Sequence, residues 1–232
     1  NSPVALVGKA VIASDNYIGG GSREDFSEDT SSFKVPCVIV TTSAENWSME
    51  ELSSVSIDDE KAGETIVDYL IEHGHTKIAE IGANLELSQT ARLRHNGYLN
   101  SLKKHGITPD ERYYERARFS YDSAYRAMKK LLEKDIEITA VYAISDVMAI
   151  GALRAILDKG LRVPEDISIT GFDGSTLAEY YNPKIVSIRQ PHKDMAARSV
   201  ELLFNMIDLH KGSCHEIIPF ELTEGESVAR ID

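Results

Sequence analysis

Two cysteines in 232 residues, Cys37 and Cys214, are too few for a disulfide framework and do not suggest a zinc site. Cys37 falls inside the apolar run VPCVIV and reads as a buried thiol. Positive charge is also scarce. Against 37 Asp and Glu there are only 25 Lys and Arg, giving a net charge of −12. Contact with phosphates needs a basic footprint, so this chain is not expected to bind nucleic acid unaided. No apolar run reaches the roughly 18 residues of a membrane span, so no membrane partner is expected. The opening NSPVALVGKAVIASDN has neither the charged start nor the long apolar core of an intact secretory signal, although a cleaved, secreted form stays open. Nucleophile-elbow, phosphate-loop and dinucleotide-fingerprint motifs are all missing. His73 and His75 in EHGHTK lack the further ligands that a metal would need. The expectation is therefore a protein that is no enzyme and has no cofactor and no metal site.

What is present is regular. Hydrophobic residues make up 42% and charged residues 27%, which is ordinary for a globular chain. From Asp58 onward, apolar runs of strand length alternate with stretches of helical spacing. AGETIVDYLIEHG, TARLRHNGYLNSLKKHG, SYDSAYRAMKKLLEK, DVMAIGALRAILDKG and KDMAARSVELLFNMIDLHKG read as helices, the last from about Lys193. KIAEIGA, ITAVYAIS, DISITGFD, IVSIRQ and HEIIPFEL read as strands, and Ser120 is a candidate N-cap. This alternation signals βαβ units, with parallel sheets flanked by helices. Earlier, PVALVGKAVI and VPCVIVTT each read as one strand. The polar, glycine-rich segment ASDNYIGGGSREDFSEDTSSFK between them reads as a loop or a short frayed helix.

In such sheets ligands bind beyond the carboxyl ends of the strands. Asp173 stands at such an end, and Gly174 after it allows a sharp turn. Ser145 and Asp146 stand at another. Arg92 and Arg94 open a helix just after a strand. Being two residues apart they lie on different helix faces, so only one can point a fork of donors into a crevice. Phe119, just before a helix, can either stack on a ligand ring or pack in the core. Asp58 and Asp59 read as a turn with helix N-terminal charge.

Several segments together resemble one family. YLIEHGHTKIAEIGA, TARLRHNGYLNSLKKHGI, SDVMAIGALRAILDKGLRVPEDISITGFDG and IVSIRQPHKDMAARSVELL look like the effector-binding and dimerisation region of lactose repressor/galactose repressor (LacI/GalR) transcription factors. The likeness covers about Ile57 to Ala229. It implies a two-lobed, periplasmic-binding-protein-like α/β fold. The first lobe would comprise 1–57 plus about 191–218, short of two βα units. The second would comprise 58–190 plus about 219–232. It also implies a small effector, a sugar or a related compound, clamped by a homodimeric bacterial cytoplasmic regulator. Operator DNA would be reached only through a helix-turn-helix domain that this sequence lacks. By the same resemblance the ligand-binding positions are Arg94, Asp173, Phe119, Ser145, Thr90 and Gln190. Ser145 stands where relatives often carry Asn. A secreted sugar receptor of the ribose-binding type shares the fold and is the alternative.

Overall fold

The structure is a computed structural model that describes residues 5–7, 10–14, 36–43, 52–208 and 212–231. The polar segment after Ser14 lies outside the described residues up to residue 35. The chain divides into two units. Unit 1 holds residues 1–58, 86–90 and 191–220, and unit 2 holds residues 59–85, 91–190 and 221–232.

Unit 1 is built on a sheet with the order β1-β2-β3-β4-β10. Its strands are β1 (Ala5–Val7), β2 (Ala10–Ser14), β3 (Cys37–Val40), β4 (Leu52–Ser56) and β10 (His215–Ile217). β1 and β2 pair antiparallel, with Val7 opposite Ala10, while the remaining neighbours are parallel. PVALVGKAVI, expected as one strand, is therefore two antiparallel strands. Helix α6 (His192–Asp208) buries Met195, Ser199, Leu202, Leu203 and Met206, a stripe at helical spacing, and packs on β3 and β4.

The sequence pattern passed over β4 because LSSVS looks polar. All five of its residues are buried. The hydroxyls are satisfied locally: Ser53 Oγ donates to Met206 Sδ at 3.1 Å and accepts from the Cys214 amide at 3.0 Å. Ser54 Oγ lies 2.9 Å from His215 Nδ1. Serine whose hydroxyl has a partner can occupy a buried strand at little cost.

Unit 2 holds a parallel sheet with the order β6-β5-β7-β8. The strands are β5 (Ile78–Gly82), β6 (Tyr114–Arg116), β7 (Ala140–Ala143) and β8 (Ser168–Thr170). Beside β8 runs β9 (Ser187–Arg189), joined by parallel bridges at Thr170–Val186 and Asp173–Arg189, and β9 pairs antiparallel with β11 (Glu221–Thr223). Its helices are α1 (Asp59–Glu72), α2 (Gln89–Lys104, whose first two residues belong to unit 1), α3 (Tyr121–Glu133), α4 (Asp146–Asp158) and the short α5 (Thr176–Tyr180). Every residue of β5 and β7 is buried, as parallel strands covered on both faces must be.

Ser120 caps α3 by accepting from the Ser123 amide, as its position predicts. HEIIPFEL is not one strand. β10 pairs with β4 in unit 1 and β11 with β9 in unit 2, and the break falls where the chain passes from one unit to the other at Phe220–Glu221.

Because β6 lies on one side of β5 and β7 on the other, the chain leaves β5 and β7 in opposite directions. A crevice opens at the carboxyl ends of strands where such a reversal occurs.

Candidate effector site

The site starts from two glycines. A Cβ on Gly63 of α1 would lie 2.7 Å from Arg94 O, and one on Gly97 of α2 would lie 2.2 Å from Glu60 O. Neither helix could come so close with any larger residue there. The approach brings Asp59, at the start of α1, to Arg94 on α2. Arg94 Nε donates to Asp59 Oδ1 at 2.8 Å, and Arg94 Nη1 donates to the Ile144 carbonyl, just past β7, at 2.6 Å. The guanidinium carbon stands 3.6 Å from the centre of the Phe172 ring, a cation–π contact. Both Arg94 and Asp59 are about 1% exposed. Burial opposes the charge on Arg94, and Asp59 and Asp173 overcome it, so the guanidinium stays firmly protonated. Arg92, two residues earlier, is exposed and donates to Leu85 O at 3.2 Å.

Asp173 follows β8 at the opposite wall. Its φ is +118°, a value few side chains adopt, and Gly174 follows at +64°. The conformation is imposed from β9: the Asp173 amide donates to Ile188 O at 2.8 Å, and Asp173 O accepts from the Gln190 amide at 3.1 Å. A Cβ on Gly174 would lie 2.5 Å from Arg189 Cα, so only glycine lets the turn close against β9. The Asp173 carboxylate lies 3.8 Å from Arg94 Nη1 and accepts from Gln190 Nε2 at 2.8 Å. Burial pushes its pKa up from 3.8 to about 7. Arg94 works against that rise, and the negative charges of Asp146 and Asp59 add to it. The side chain keeps 22% of its surface open, so water moderates the shift.

Gln190 is 3% exposed. Its Nε2 is held by Asp173, yet its Oε1 is buried without a hydrogen-bond partner among the described residues. An acceptor in that state costs about 1–3 kcal/mol until a donor reaches it.

Ser145 caps α4, its Oγ accepting from the Met148 amide at 3.3 Å. Phe119 lies between β6 and the cap of α3 and is half-buried, at the carboxyl end of a neighbouring strand. Thr90 lies in unit 1, where its Oγ1 is 2.6 Å from Thr42 Oγ1. His73 and His75 serve the chain itself: His75 Nε2 is 3.0 Å from Ala229 O, and His73 Nδ1 is 2.8 Å from Tyr69 O.

Sequence reasoning passed over Phe172 and named Asp59 and Asp146 without their partners. Asp59 reads as ordinary helix-start charge but is the ion-pair partner of Arg94. Phe172 reads as the end of a strand but forms the face beneath the guanidinium. Asp146 braces the Asp173 turn. Its Oδ1 accepts from Ser187 Oγ and its Oδ2 from the Ser175 amide, both at 2.6 Å, while its own amide donates to Phe172 O at 2.6 Å. Burial raises the Asp146 pKa in spite of these bonds. The signal for Asp146 was its place beside Ser145 at a strand end.

Residues 67–228 match the family described as periplasmic binding protein-like domain. The chain is 38% identical over 214 residues to the HTH-type transcriptional regulator MalR of Clostridium butyricum, covering 91% of this chain and 64% of MalR. It is 36% identical over 173 residues to the HTH-type transcriptional repressor CytR of Escherichia coli K12, covering 74% of this chain and 50% of CytR. The chain thus spans about half to two thirds of the length of these relatives. A solved complex of the transcriptional regulator CelR with cellobiose superposes with a TM-score of 0.81 at 30% identity, over 89% of this chain and 63% of that one. With its parallel sheets flanked by helices and its sequence kinship to these regulators, the chain belongs to the periplasmic binding protein-like domain family, among the LacI-type transcriptional regulators.

Proposed function

We propose that this chain is the effector-binding and dimerisation region of a bacterial LacI-type regulator, and that it takes a small neutral, hydroxyl-rich ligand, a sugar or a close relative. The observation that carries this reading is the buried acceptor Gln190 Oε1 beside Asp173 and Arg94 at the carboxyl ends of parallel strands. A ligand hydroxyl donates to Gln190 Oε1 and removes the cost of leaving it unpaired. A second hydroxyl donates to the Asp173 carboxylate, and the Arg94 guanidinium faces a ligand oxygen. Phe119 offers an apolar face to the ligand ring. Ser145, committed to its cap, contributes less. Thr90 is carried as a ligand position by family resemblance alone. A molecule lacking these hydroxyls would leave buried groups unpaired, which is how such a site rejects it. CelR was solved with cellobiose, which supports a sugar as the class to test first.

The response follows from connectivity. Asp59 opens unit 2 and Gln190 closes its long segment, so both stand where the backbone passes between units. A ligand held by Gln190 binds beside one such crossing, and it favours whichever conformation it binds more tightly. In a homodimer this bias would reach operator DNA through the DNA-binding domain that the relatives' names describe. A thermal-shift panel of sugars, sugar phosphates and purines, with no enzymatic turnover of any hit, tests the reading. Stabilisation by a neutral sugar is expected, and stabilisation by none of the panel would overturn it.

A further inference from the structure

Below Arg94 the sheet of unit 2 carries a row of polar side chains that effector contact does not explain. Tyr114, Glu80, Tyr142 and Thr170 stand directly opposite one another on β6, β5, β7 and β8, so all four project from the same face. Glu80, Tyr142 and Thr170 are fully buried. Part of the row is satisfied. Glu80 Oε2 lies 2.6 Å from His95 Nδ1, and the Tyr114 hydroxyl donates to Ala83 O at 2.6 Å. Glu80 Oε1, the Tyr142 hydroxyl and Thr170 Oγ1 have no hydrogen-bond partner among the described residues.

Three such atoms in consecutive positions are unusual. Each costs about 1–3 kcal/mol if it stays unpaired. Their residues stand opposite one another on neighbouring strands, so the three side chains share one buried face of the sheet. We propose that this row binds ordered internal water, with at least one molecule bonded to Glu80 Oε1 and the Tyr142 hydroxyl and the Thr170 hydroxyl as a further partner. Buried polar groups that find no partner in the protein are commonly met in this way. Tyr142 also feels the charges of Arg94, Glu80, Asp59 and Asp173.

Water oxygen-17 magnetic relaxation dispersion counts long-lived internal waters and tests this on the whole chain. The wild type is compared with Tyr142→Phe, Thr170→Val and the double variant, alongside their melting temperatures. The expected result is a count that falls by at least one in the double variant, with a lower melting temperature for Tyr142→Phe. An unchanged count with an unchanged or higher melting temperature means dry orphan groups and overturns the proposal. An unchanged count with a lower melting temperature means a direct Glu80–Tyr142 bond and overturns it as well. Should Tyr142→Phe fail to fold, Thr170→Val, which nearly keeps the side-chain shape, is read by the same count.

Discussion

Arg94 and Asp59 form an ion pair almost wholly out of water, so each is costly to remove alone. Arg94→Ala leaves the Asp59 carboxylate buried without its cation, and denaturant melts should show a loss of about 3–5 kcal/mol. Arg94→Ala therefore confounds folding with binding. Asp173→Asn separates them, because Asp173 sits at the rim with part of its surface open. Its raised pKa fixes a sign. The folded carboxyl titrates near 7 against 3.8 for the free group, so it costs stability at neutral pH, and the unliganded protein recovers that stability as pH falls from 7 toward 4. Melting temperatures of wild type and Asp173→Asn should therefore converge on acidification across that window. A ligand that needs the carboxylate ionised should bind about tenfold more tightly at pH 8 than at pH 6, releasing a proton at the lower pH; titrations in buffers of differing ionisation enthalpy measure this. Asp173 was legible in the sequence because an acid directly after an apolar strand stands where parallel sheets bind their ligands. Asp59 was not, since an acid at a helix start is ordinary and only the tertiary approach of α1 and α2 makes it a partner.

That approach belongs to the elements. Gly63 and Gly97 let α1 and α2 touch backbone to backbone, and the ion pair depends on it. Gly97→Val should push the helices apart, cost at least about 1–3 kcal/mol by overpacking, and weaken effector binding through displacement of Arg94; a melt together with a titration reads both effects. Neither glycine announced this in the sequence, because a glycine inside a helix pattern shows only a local weakness. Most helices and the parallel strands of unit 2 were legible from their spacing. The errors share a cause. β4 looked polar because its serines bond to Met206, Cys214 and His215, partners distant in sequence. HEIIPFEL looked continuous because apolar alternation does not reveal that a chain is changing sheets.

At the scale of the molecule, the chain passes between its two units at residues 58–59, 85–86, 90–91, 190–191 and 220–221. Its net charge of −12 gives it no basic footprint for phosphates. Specific runs such as LRVPEDIS and RQP made the family readable from the sequence, because they combine turn, cap and strand-end signals in a fixed order. The individual contacts were less readable, since Thr90 and Ser145 carry hydroxyls whose partners only the fold reveals.

Asp173, with Gln190 and Arg94, is proposed to grip the hydroxyls of a small neutral ligand. Calorimetric titration of wild type and Asp173→Asn with the sugar that most raises the melting temperature decides this. Saturable binding by the wild type is expected, with affinity about ten- to a hundredfold weaker in Asp173→Asn from the loss of a hydrogen bond to a charged acceptor. Equal affinity in the two proteins would rule Asp173 out as a ligand contact.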